Sequence, residues 1–193
     1  MLNFDPVREK KVTLHDLASG LGKADLVREL NAMYDHIQAL IRDADDGDVT
    51  FQPVDSAAND PYAREGEESI SWTLGHVVVH LTASMEESAA LSAELARGVE
   101  FHGRSRWEMD WKSVTSIDVC RERIEDSRRM VLAALDMWPR EPRLENMYLP
   151  SPAIKPYNCV VRFLSGLRHA SDHLGQIEEI LRQAKSAQKE ADV

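Results

Sequence analysis

The sequence predicts an all-α fold, a four-helix bundle with long crossover loops. Three observations carry this. Four segments repeat apolar residues at steps of three and four, the period of a helix with one buried face. No stretch alternates apolar and polar residues between turn signals, as half-buried strands would. The composition, 43% apolar and 29% charged over 193 residues, is that of one globular domain spanning residues 1–193. A chain of this size buries about 70% of its extended surface, enough for a core without staples.

The first helix is expected over about residues 23–45, with Leu26, Leu30, Met33, Ile37, Leu40 and Ile41 on one face. Upstream, Thr13-x-x-Asp16 has the form of a capping box for a short preceding helix. The second helix is expected over about 69–98, with Leu74, Val77, Leu81, Met85, Ser88, Leu91 and Leu95 as its stripe. Glu67 and Glu68 suit its N-terminus, Arg97 and Gly98 its C-terminus. The third, about 116–138, carries Ile117, Cys120, Ile124, Ser127, Val131, Leu135 and Trp138, and Pro139 and Pro142 stop it. The fourth, about 158–186, starts at Asn158 as N-cap and buries Val160, Phe163, Leu167, Ala170, Leu174, Ile177, Leu181 and Ala184. The connections, about 25, 17 and 19 residues, are long for an up-down bundle and predict crossovers that cover one end. Thr50–Phe51 and Met147–Leu149 read as short extended pieces, and the off-stripe Val78, Val79 and Val161 as residues of an interface.

Charge and cysteine content exclude several function classes. The net charge of −10 argues against nucleic acid or an anionic membrane as the main partner. No apolar run approaches the roughly 18 residues of a membrane span, and the N-terminus has no basic, apolar leader pattern. The two cysteines, Cys120 and Cys159, read as buried free thiols of a protein in the reducing cytoplasm. The acidic run Asp43–Asp48 fails the calcium-loop register, because Arg42 and Ala44 fall where ligands are needed, and reads as a helix end and solvated turn. No phosphate-cradling glycine loop or nucleophile elbow is present.

The chemistry lies in the seven histidines. His76 and His80 are four residues apart on the second helix, as are His169 and His173 on the fourth. That spacing stacks two imidazoles on one helix face, and pairs from two helices can share one metal. At 100° per residue, His169 and His173 flank their apolar stripe, His80 lies about 80° from its stripe centre and His76 about 120°. His80, His169 and His173 therefore form a geometrically reasonable three-histidine site, which leaves positions open for water or substrate.

The stretch Ser71-Trp72-Thr73-Leu74-Gly75-His76-Val77-Val78-Val79-His80-Leu81 and the stretch His169-Ala170-Ser171-Asp172-His173-Leu174-Gly175-Gln176-Ile177 resemble motifs of the DinB-like (YfiT-like) superfamily. Helix number and order extend the resemblance over essentially the whole chain. It implies a divalent metal, zinc or nickel foremost, held by His80, His169 and His173, with His76 as the alternative to His80. It also implies a metal-dependent enzyme that activates a small thiol or water for S-transfer to an electrophilic small molecule, a low-molecular-weight thiol as co-substrate, and a homodimer. The alternatives are a metal-binding, non-catalytic stress or regulatory bundle, and an interaction bundle with incidental histidines.

Three further readings concern the surroundings of that site. Asp172 or Glu86 would orient the imidazoles. In the loop His102–Trp111, Arg104 and Arg106 would grip a carboxylate of thiol or substrate, with Trp107 beside them, unless the arginines pair with the chain's own excess acids. Tyr148 and Tyr157 would line the same pocket.

Overall fold

The computed structural model describes residues 1–61 and 65–191, and among these the chain is a helical bundle without strands. Four long helices form its body: α3 (Lys23–Leu40), α5 (Leu74–Ala96), α6 (Ile117–Asp136) and α7 (Cys159–Ala191). Three short ones, α1 (Asp5–Arg8), α2 (Leu14–Ala18) and α4 (Asp46–Thr50), pack around it. A single 3-10 turn, Trp111–Ser113, precedes α6.

Side-chain caps decide where the helices start. The Thr13–Asp16 capping box opens α2 as expected, and Asn158 Oδ1 accepts from the Val161 amide at 3.0 Å at the head of α7. Thr73 Oγ1 accepts from the His76 amide, so α5 starts at Leu74 rather than near residue 69. The expected helix over 23–45 stops at Leu40, because Asp45 and Asp48 form their own capping box and start α4. That corrects two readings. The acidic run is a solvated turn only in part: Asp43, Asp45 and Asp46 are exposed after the end of α3, but Asp48 is buried, and Asp46 accepts from the Ile117 amide at the start of α6 at 2.8 Å. Thr50 is helical rather than extended. At the other end of α5, Gly98 sits at φ +84°, the left-handed position that lets the Val99 and Gly98 amides close on the carbonyls of Glu94 and Leu95, both at 3.0 Å. With no glycine or proline after Ser186, α7 runs on to Ala191.

Helix α5 is the centre of the bundle, packed against both α6 and α7, with 18 of its 23 residues buried. Val78 and Val79 are fully buried and Val161 nearly so, which withdraws them as interface residues. The stripe on α5 understates its burial because α5 packs against α6 as well as α7, and the long loops tie down its C-terminal end. Asn146 reaches the carbonyls of Leu95 and Val99, Arg143 N–H donates to Ala96 O, and Tyr148 and Tyr157 pair as one antiparallel bridge. Two pairs of polar groups between the helices are matched: Tyr34 bonds Ser127 at 2.7 Å, and Glu86 holds Arg123 through two bonds.

Helices α5 and α7 approach closely at Gly166, where a Cβ would sit 2.6 Å from Ser88 Cβ. A Gly166→Ala change forces these backbones apart and is expected to destabilise by about 1–3 kcal/mol, the scale of overpacking. Adding Ser88→Gly to the same chain removes the clash and should recover most of the loss. Urea unfolding of the single and double variants measures both.

Candidate metal centre

The close approach at Gly166 brings the histidine-bearing turns of α5 and α7 together. His80 Nε2 and His169 Nε2 lie 3.2 Å apart. One ring nitrogen each from His80, His169 and His173 falls within 4.8 Å of the others. Trp72 closes the cluster from the start of α5, its ring centroid 4.4 Å from His76, 4.5 Å from His80 and 5.7 Å from His173. His76 is not peripheral as its wheel position suggests. It is sandwiched between Trp72 and Trp111, its ring stacked nearly parallel to the latter's at 4.6 Å. It lies outside the converging triad but lines the same cavity.

The nitrogens facing away from the cluster are held unequally. Gln176 Oε1 sits 2.8 Å from His173 Nδ1, which leaves Nε2 of His173 to face its neighbours. His80 Nδ1 has Arg106 Nη2 at 3.3 Å and Glu108 Oε1 at 3.8 Å. Arginine only donates, so with Arg106 as partner the His80 proton sits on Nε2. Presenting the Nε2 lone pair to a cation moves that proton to Nδ1, where Glu108 is the acceptor at hand. His169 Nδ1 is buried with no partner.

Electrostatics favours neutral imidazoles, the form that offers a lone pair. Burial, helped by the neighbouring histidines, pushes His169 down to about 3. Burial also takes His76 down to about 4, and lowers His173 against the pull of Gln176. Burial pushes the Glu108 carboxyl up, but hydrogen bonds with His80 and Arg106 and the Arg106 charge outweigh it and hold it at about 2.

These donors fit a divalent cation. Two imidazole nitrogens bound at about 2.0–2.1 Å to one tetrahedral ion lie about 3.3 Å apart, and the Nε2 pair already stands at 3.2 Å. The cluster opens on a cavity of about 1110 Å³ whose lining includes His80, His169, Ser84, Trp107 and Tyr148. The cluster therefore offers three candidate ligands, two of them lining open space, as in sites that keep a coordination position open rather than closed structural sites.

Other expectations fare differently. Asp172 and Glu86 do not orient the histidines: Asp172 is taken by Arg8 and Arg168, and Glu86 by Arg123. Gln176, Glu108 and Arg106 do this work instead. Gln176 was findable, standing one turn after His173; Glu108 was not, because only the fold of the 97–116 loop carries it to His80. Arg104 grips Glu87 through two bonds, 2.8 and 2.6 Å. Arg106 is spent on Glu108, Ser84 and the His80 carbonyl. Trp107 is 70% exposed at the cavity rim. Tyr148 lines the cavity; Tyr157 is not among its lining residues. Cys120 and Cys159 are fully buried, and burial raises their thiols to about 12 and about 11, so neither supplies a nucleophile here.

The depressed histidines make metal-free stability depend on pH. The unfolded chain binds these protons near pH 6.5, the folded chain only at about 4 for His76 and about 3 for His169. Stability from this source is complete above about pH 6.5 and is lost as pH falls toward 3. In chelator, the urea midpoint should fall steadily from pH 7 to pH 4.5, and less steeply in His169→Gln. An equal slope in the variant would contradict the assignment.

No curated protein and no solved structure matched the chain. A family model described as the DinB superfamily matches residues 29–177, a span that holds all four long helices in whole or large part and every histidine of the cluster. The chain belongs to the DinB superfamily.

Proposed function

We propose that this protein binds a divalent cation, zinc or nickel foremost, through His80, His169 and His173, and acts as an enzyme on small molecules in the adjoining cavity. One observation carries the reading: three imidazoles converge beside an open cavity with ligand-like spacing, 3.2 Å between two of their nitrogens. The reaction class is transfer of a small thiol, or of water, to an electrophilic small molecule.

A cation bound there would supply Lewis acidity, lowering the pKa of a coordinated thiol or water so that a nucleophile exists at neutral pH. The chain's own groups do the rest. Gln176 fixes the ring of His173. Arg106 and Glu108 flank the His80 Nδ1, with Glu108 ionised and able to accept a hydrogen bond from Nδ1–H. Because its carboxyl is held so low, Glu108 is a poor proton donor at neutral pH and serves as a positioning residue. Trp72 and Trp111 wall the histidines and restrict water on that side. His76, neutral and facing the cavity, can hydrogen-bond a substrate without adding charge.

Elemental analysis after reconstitution tests the reading. About one zinc or nickel ion per chain is expected. His80→Ala and His169→Ala should lose it while remaining folded, and His76→Ala should keep it. Folded protein that takes up no metal would overturn the reading. Metal without turnover of any thiol and electrophile pair would leave a non-catalytic metal-binding bundle.

A further inference from the structure

The cavity has a second end. On α7, Arg162, Ser165 and His169 follow at steps of three and four residues, one face of one helix, and all three line the cavity. Seven residues at 1.5 Å each put Arg162 about 10 Å along the axis from His169. Opposite them on α5 stand His80, Ser84, Glu87 and Leu91, again one face. The histidines thus occupy one end of a trough and Arg162 lies toward the other.

Charge balance singles out Arg162 among the described cavity residues. Arg104 is neutralised by the buried Glu87, and Arg106 by Glu108. Among the described residues, Arg162 has no carboxylate at ion-pairing distance. The acid that acts on it from α5 is Glu87, whose charge Arg104 already offsets. Its guanidinium is nonetheless fixed. Nη1 donates to Ser165 Oγ at 2.8 Å, Ser165 Oγ donates back to the Arg162 carbonyl at 2.7 Å, and the Tyr148 ring lies 5.8 Å away. Nε is buried without a partner, and Nη2 is neither bonded nor buried, so it opens on the cavity. Burial makes the bare cation costly and lowers its proton affinity.

We propose that Arg162, with Ser165 and Tyr148, is a carboxylate-binding subsite, so that the small molecule acted on at the histidines is an acid whose carboxylate lies about two helical turns from them. The subsite rests on the reading of the histidines as a metal centre. A guanidinium fork matches a carboxylate, and one unbalanced positive charge suits a monoanion better than a phosphate dianion.

The test is calorimetry on the zinc-loaded full chain with ω-mercaptoalkanoic acids of graded length and the matching ω-mercaptoalcohols. The acid is expected to bind about tenfold or more tighter than its alcohol, the scale of one charge-assisted hydrogen bond, with an optimum in chain length. Arg162→Gln should bring the acid to the level of the alcohol and leave the alcohol unchanged. Arg162→Lys, which keeps the charge and loses the fork, should retain part of the preference and carries the comparison if the glutamine variant unfolds. Equal binding of acid and alcohol by the wild type, or equal weakening of both in the variants, overturns the subsite. A metal-free arm separates it from the metal reading: heptanoate against heptanol on chelator-treated protein, followed by ligand-observed NMR. Arg162-dependent recognition of heptanoate without thiol binding to the zinc form would keep the subsite and remove the thiol reading. No preference for heptanoate in either form removes the subsite.

Discussion

The structure depends on one close approach, the backbone of α7 against Ser88 of α5 at Gly166. Any larger residue at that point would hold the helices apart. With the side chain missing, two helices that each carry a histidine pair come near enough for imidazole nitrogens from both to stand 3.2 Å apart. A helix gripped by α6 and α7 and roofed by loops must be apolar or small on nearly every face, as α5 is.

That packing sets the chemistry of the histidines. Buried among helices and tryptophans, His76 and His169 are held neutral well below the ordinary histidine range. Neutral rings crowded together would be a poor use of space in a plain core, since His169 Nδ1 is left without a partner. The same rings are good ligands for a cation. The supporting groups are divided by charge: Glu108 and Arg106 serve His80, Glu87 and Arg104 serve each other, and Arg162 remains facing the trough.

The helices and the triad were legible in the sequence because both depend on spacing within one helix. Apolar periodicity located α3, α5, α6 and α7 to within a few residues, and the two H-x-x-x-H pairs located the cluster. What was not legible depends on loops and on caps. Asp45 and Asp48 turn an acidic run into α4, which periodicity cannot register in five residues. Val78 and Val79 are buried because α5 lies at the centre of the bundle, a tertiary fact that a single stripe does not register. For Arg104 and Arg106 the sequence offered both a substrate grip and pairing with the chain's own acids. Only the fold shows Glu87 and Glu108 against them, and Arg162, hidden in the polar steps of α7, as the one facing the cavity unpaired among the described residues.

The central claim is that His80, His169 and His173 hold a cation with a position left open. X-ray absorption at the zinc edge of reconstituted protein, with and without a small thiol, tests it most directly. The account predicts about three imidazole nitrogens near 2.0 Å plus one further light ligand, and a sulfur appearing near 2.3 Å when the thiol is added. A shell without imidazole scattering, or a four-ligand shell that the thiol leaves unchanged, would contradict it.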